Sequence, residues 1–234
     1  MSTRPIIVCT LAVLAGCAQR DIEISYLRSE SYTFSRAERS TIREIAEHTA
    51  SEVRRLLPAL PHKLAITVRP GDDVIAEIGA TASAVAPADV VWTVDPSRPG
   101  GVIQIAKTHL RPTLFHEFHH LVRDADSRSS RSVIASAVTE GMASAFERDF
   151  AGADYPWAQY PKDAVEEWAE ELLALPADAP VREWLFRHPD GRRWIGFRVG
   201  TYWVDQAIAK SGRSSADLVS TPTLQILSLA GAAR

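Results

Sequence analysis

Residues 114–123 read Leu-Phe-His-Glu-Phe-His-His-Leu-Val-Arg, and the spacing of the histidines decides how the rest of the chain is read. His116, Glu117 and His120 form the pattern His-Glu-x-x-His. On a helix, residues four apart lie on one face, one turn from each other. Two imidazoles placed this way can bind a single Zn2+, and Glu117 can reach the open coordination position where a water sits. The metal lowers the pKa of that water, and the carboxylate takes its proton as general base. Leu114, Phe115, Phe118, Leu121 and Val122 recur at helical intervals, so a half-buried helix is expected over residues 112–124. His119 is left flanking the site, as a polar side chain that supports a ligand rather than binding the ion.

A catalytic zinc usually has three protein ligands and one open position. The candidates for the third are Asp124, Asp126, Glu140, Glu147 and the remaining histidines, and Glu140 is the best placed. It follows His120 by 20 residues, on the next expected helix. Its helical neighbours Ser136, Ala137, Ala143 and Ser144 are small, which lets that helix approach the motif helix closely. Gly141 relieves crowding beside the ligand, at a helix cost of about 1 kcal/mol against Ala. Glu147, two turns on, reads as a structural or supporting group, and Ser144 as a supporting one. Tyr202, Arg198, Tyr155 and His188 are possible donors to a developing oxyanion. Of these Tyr202 is preferred and joins Glu117 in the expected catalytic set.

Outward from the motif, Ser35 and Glu38 fit a capping box opening a helix that ends before Pro58 and Pro61. Residues 64–69, 89–94 and 102–106 read as strands, and the Ala-rich stretch 74–88 is ambiguous. Helices are expected at 133–149, 161–175, 197–210 and 222–230, with an irregular aromatic segment at 181–195. Strands and helices are segregated, so the fold class is α+β, with a small N-terminal sheet and a mainly helical C-terminal half. The 234 residues are 46% hydrophobic and 24% charged, with net charge −3. This excludes a disordered charged tail, a collagen-like repeat or a disulfide scaffold, and gives no bulk electrostatic reason to bind nucleic acid.

The chain begins with one basic residue, Arg4, before an apolar run from Ile6 to Ala15, which suits a secretory signal and is too short to span a bilayer. The run ends in Leu14-Ala15-Gly16-Cys17, which resembles the lipobox of bacterial lipoproteins. That resemblance implies cleavage before Cys17 and acylation of the new terminus. The expected organisation is a signal peptide over 1–16, a tether over 17–34 and one domain over 35–234. The expected location is the bacterial cell envelope, lipid-anchored at the periplasmic face of the outer membrane. Cys9 and Cys17 are the two cysteines, so a processed chain would lack both disulfide and free thiol and depend on a packed core.

Three stretches carry a wider resemblance: HEFHHLVR at 116–123, TEGMASAFE at 139–147, and the segment 184–212 that contains RRWIGFRVGTYWVDQAIAKSG. Over roughly residues 40–230 the chain resembles a bacterial domain family of unknown function regarded as predicted Zn-dependent proteases, with a gluzincin-like His-Glu-x-x-His plus Glu arrangement. The resemblance implies a zincin-like metallopeptidase domain holding one zinc ion through His116, His120 and Glu140, with Glu117 as base. Members often have Tyr where this chain has Phe118 and Phe197, and neither Phe supplies a hydroxyl. The leading expectation is a membrane-tethered zinc metallopeptidase acting on peptide or protein substrates, with strand 102–106 holding an extended substrate. A non-catalytic zinc-binding envelope lipoprotein, serving as a binding or assembly factor, is the alternative. A fourth ligand such as His119 or Asp124 would be its sign. A hydrolase of non-peptide amides, such as cell-wall material, would use the same site.

Overall fold

The computed structural model describes residues 21–85, 87–127 and 132–232, with the side chains of residues 124–127 left out. The expected signal peptide and Cys17 lie outside the described residues. The first described element is a strand, β1 (Ile22–Tyr26), followed by helix α1 (Arg36–Leu56) and strand β2 (Leu64–Pro70). Ser35 and Glu38 close the capping box expected of them, each bonding the other's backbone N–H. Parallel strands need a crossover between them, and α1 supplies it for β1 and β2, which pair in register from Ile22↔Leu64 to Tyr26↔Val68.

Strands β3 (Ala80–Val85) and β4 (Asp89–Val94) complete a four-stranded sheet in the order β1-β2-β4-β3. β4 runs parallel to β2, and β3 pairs antiparallel with β4 at the outer edge. The inward residues Leu64, Ile66, Val68, Val90, Trp92 and Val94 are buried in one core with Ile42, Ala46, Ala50 and Val53 of α1.

Two expectations are corrected here. Residues 22–26 are not tether but an edge strand: Ile22 is buried, with Ile24 and Tyr26 packed beside it, an alternation of period two. Residues 102–106 are not a strand. Gly100 and Gly101 both take positive φ, 82° and 62°, a conformation open to glycine. The chain then coils into helix α2 (Gly101–Ile105) and a π-helical turn, Ala106–Leu110. Val102, Ile105 and Ala106 are all buried, at the i, i+3, i+4 spacing of a helix face. The third strand of the reading comes instead from the Ala-rich stretch, as β3.

The remaining elements are helices: α3 (Arg111–Ser127), α4 (Val133–Ala151), α5 (Val165–Leu173), α6 (Val181–Leu185), α7 (Ile195–Ser211) and α8 (Thr223–Ala230). Helix α3 packs into the sheet core through Leu114, Phe115, Phe118 and Leu121. A second apolar cluster joins α4 (Val138, Met142, Ala145), α5 (Val165, Ala169, Leu172) and α7 (Val199, Trp203, Val204). Helix α4 therefore stands between two cores, with Phe146 in the first. No helix among the described residues is long and apolar enough to cross a membrane.

The α4–α7 contact is backbone on backbone. A Cβ on Gly141 would lie 2.1 Å from the carbonyl carbon of Gly200, and one on Gly200 would lie 1.8 Å from the carbonyl oxygen of Ala137. Neither position has room for a methyl group. Gly141 thus serves the approach of α7, not of the motif helix as its sequence context suggests.

Arg111 joins three helices at the start of α3. Its guanidinium forms a two-pronged pair with Glu52 of α1, at 2.9 and 3.3 Å, and donates to the carbonyls of Phe150 and Ala151 at the end of α4. The Arg111 hydrogen bond holds the Glu52 carboxyl below its usual range, against the opposing effect of partial burial. The stability this pair contributes is present above the ordinary carboxylate pKa and fades as pH falls through the lowered one. Arg111→Met is expected to cost about 2 kcal/mol at neutral pH. In urea denaturation the gap from the unaltered protein should narrow on acidification.

Candidate metal centre

Helix α3 carries His116 and His120 on the face turned toward α4, and α4 carries Glu140 on the face turned back. His116 Nε2 lies 3.2 Å from Glu140 Oε2, and His120 Nε2 lies 3.3 Å from the same oxygen. One donor atom from each of the three residues falls within 4.8 Å of the others. A tetrahedral zinc with ligands about 2.0–2.1 Å away holds its donors roughly 3.3 Å apart. The observed separations fit that ion, and the donor set of two imidazoles and one carboxylate suits it. No ion is part of the structure; these residues are the ones that would hold it.

The protonation of His116 follows from its other ring nitrogen. Nδ1 lies 3.3 Å from Glu147 Oε2. With zinc bound, Nδ1 would keep its proton and donate it to this carboxylate, and Nε2 would turn its lone pair to the ion. Glu147 is itself buried, which pushes its carboxyl up, opposed by His116 and the Trp157 side chain. Burial disfavours charge on His116, yet in the ion-free site its hydrogen bonds to both glutamates outweigh that and hold its pKa well above the ordinary value. Burial raises the Glu140 carboxyl, but His120 and His116 overcome this and pull it well below the usual range. Burial pushes the Glu117 carboxyl up, opposed by His116, His120 and the Ala84 backbone.

The cluster forms the floor of a cleft of about 400 Å³. One wall is Ile75, Ile78 and the Thr81–Ala84 stretch of β3. The other is Trp157, Phe186, Trp194 and Phe197. Trp194 is the one non-glycine residue with positive φ (63°) among the described residues. Such a backbone costs on the order of 1–3 kcal/mol for a bulky residue. Its N–H bonds to the Phe186 carbonyl, and its ring packs against Trp157, Phe186 and Phe197. Phe197 in turn stacks on His116, with ring centres 6.4 Å apart.

His116, Glu117, His120 and Glu140 are brought together as the motif suggests; other expected residues are not. Tyr202 lies away from the cleft, with its hydroxyl donating to Glu166 of α5 and its ring edge-on to Tyr160. On α7 the cleft-facing position falls to Phe197, and Tyr202 turns toward α5. Tyr155 pairs with His109, Arg198 donates to the Pro156 carbonyl, and His188 pairs with Asp190. Among the described cleft residues there is no Arg, Lys or Tyr.

His119 is fully buried against Phe146, and neither of its ring nitrogens has a partner among the described residues. Burial, with His120 next, holds its pKa well below the ordinary value, so it is a neutral core side chain. Ser144 is likewise buried with its hydroxyl unpartnered. The support expected of these two is given by Glu147. His119 is not in the metal cluster either, and the side chains of Asp124 and Asp126 lie outside the described residues. The cleft walls escaped the sequence reading. β3 lay in the ambiguous stretch, and the only signal for Trp157 and Trp194 was the density of aromatics around them.

His116→Ala, His120→Ala and Glu140→Ala are each expected to abolish stoichiometric zinc binding. Glu147→Ala should keep the site but weaken it by about 10–100-fold, measured by competition with a chromogenic chelator.

The family model described as "Predicted Zn-dependent protease (DUF2268)" matches residues 42–228. No curated protein and no solved structure matches the chain. The match spans well over half of the sequence and includes every residue of the cluster, so this chain belongs to the DUF2268 family of predicted Zn-dependent proteases.

Proposed function

We propose that this chain is a zinc-dependent peptidase of the bacterial cell envelope, held at the periplasmic face of the outer membrane by lipid on Cys17. The observation that carries the catalytic part is the meeting of His116, His120 and Glu140 beside Glu117 at the floor of a cleft bordered by a free sheet edge. Zinc held by that cluster supplies an acidified water and a Lewis acid for a peptide carbonyl.

The chain's own residues do the rest. β3 is the last strand of its sheet, and the edge turned from β4 has no strand partner among the described residues. An extended peptide can add there through main-chain hydrogen bonds, which replaces the role first given to residues 102–106. Glu117 lines the cleft together with Ala84 of that edge, whose backbone favours the ionised Glu117 carboxylate. Glu117 accepts a proton from the attacking water and passes it to the departing amine. Its raised pKa, caused first by burial, suits a group that must hold a proton between those two events. Glu147 keeps the His116 ring in place and in the required tautomer.

Glu117→Gln is expected to lower kcat on peptides by about 10²–10⁴-fold, with zinc content unchanged. Cleavage that survives the substitution would sink this assignment. The anchor is tested apart from the chemistry: Cys17→Ser should move the protein from the membrane fraction to the soluble periplasmic fraction. Unchanged membrane association would count against lipidation.

A further inference from the structure

An ion pair links segments that carry the two walls of the cleft. Glu77 lies in the turn before β3, between the cleft residues Ile75 and Ile78. Arg193 precedes Trp194 on the opposite wall. The guanidinium meets the carboxylate with both prongs, Nη1 to Oε1 at 2.7 Å and Nη2 to Oε2 at 3.4 Å. It also lies over the Trp194 ring, 5.0 Å from its centre.

Both lips are stiff. On one side Ile75 bridges Ala80, the Gly79 N–H bonds to the Ile75 carbonyl, and Arg98 donates to the Ala76 carbonyl. On the other, Arg187 bridges Arg193, and the Trp194 N–H bonds to the Phe186 carbonyl. Arg192 grips Glu171 of α5 with bonds of 2.7 and 2.9 Å. A pair between two anchored lips is a crossbar, since neither side can swing away while it is closed.

Its place along the cleft follows from β3. Ala84 marks the general base: it lines the cleft together with Glu117, and its backbone opposes the effect of burial on the Glu117 carboxyl. Ala80 marks the crossbar end, through its bridge to Ile75. Four residue steps separate the two, about 14 Å of extended strand. A peptide lying along that edge has room for about four residues before it meets the pair.

We propose that the Glu77–Arg193 pair closes one end of the cleft, so that this chain cuts peptides within about four residues of one terminus in preference to internal bonds of long chains. The inference rests on the peptidase reading above and adds to it a substrate class, short peptides and chain ends. Glu77 and Arg193 act on substrate length and take no part in the bond cleavage. Their side chains are about one-third exposed, 31% and 38%, so salt should weaken the closure.

The test is a series of peptides with one fixed scissile bond, lengthened one residue at a time on either side. With the zinc-loaded protein, kcat/KM should fall by about fivefold, the worth of a modest ion pair, beyond the fourth residue on one side only. Glu77→Gln and Arg193→Gln should each remove most of that fall, and high salt should do the same. The double exchange Glu77→Arg with Arg193→Glu should bring it back. No fall on either side, or a fall that persists in both single variants, overturns the proposal. The same series is titrated for binding to the Glu117→Gln protein, read by tryptophan fluorescence. A length limit seen in binding without any turnover by the unaltered protein would uphold the crossbar and sink the peptidase reading.

Discussion

One carboxylate oxygen, Oε2 of Glu140, meets the Nε2 atoms of both His116 and His120 at hydrogen-bond distance. A glutamate can do this only if the helix that carries it lies close to the motif helix and at a fixed rotation. The fold meets that demand from behind. Helix α4 is held against α7 where Gly141 and Gly200 touch through their backbones. It is held against α3 through Phe146, which shares a core with Phe115 and Phe118. Glu140 therefore projects from a helix that belongs to both apolar clusters, and the cluster of donors sits on the seam between them.

The same seam is electrostatically costly. Glu117, Glu140 and Glu147 face His116 and His120 in a site where Glu117, Glu147 and His116 are all buried. Buried charges are tolerated when each is paired and hydrogen-bonded. Here His116 stands between two glutamates, one on each ring nitrogen. A divalent cation among them offsets the surplus of negative charge, so ion binding and folding stability are coupled in one equilibrium. Glu117 lies outside that pairing. Its side chain lines the cleft beside Ala84 of the sheet edge.

The donor set was legible because its chemistry is written locally. His116 and His120 need only helical spacing, and Glu140 only the small residues around it. The supporting glutamate was harder to place. Glu147 and Ser144 share a helix face with Glu140 in sequence, and nothing local says which of them reaches the ring nitrogen of His116. His119 looked like a third polar member of the cluster, yet the turn of the helix sends it into Phe146. The Tyr202 hydroxyl suits an oxyanion donor by chemistry alone, but its direction depends on how α7 rolls against α4 and α5, which sequence spacing does not encode. Strand and helix were confused where β-branched residues sit at helical intervals, as in Val102-Ile103-Gln104-Ile105. The edge strand was hidden because alanines carry little periodic contrast.

Strand β1 has a geometric consequence for an anchored protein. Ile22 already belongs to the sheet, so it stands five residue steps from Cys17, a reach of at most roughly 18 Å. On the proposed lipidation, the domain has no long leash and rides against the headgroups. Its search for substrates becomes a two-dimensional one, confined to whatever the bilayer surface brings within a molecular diameter.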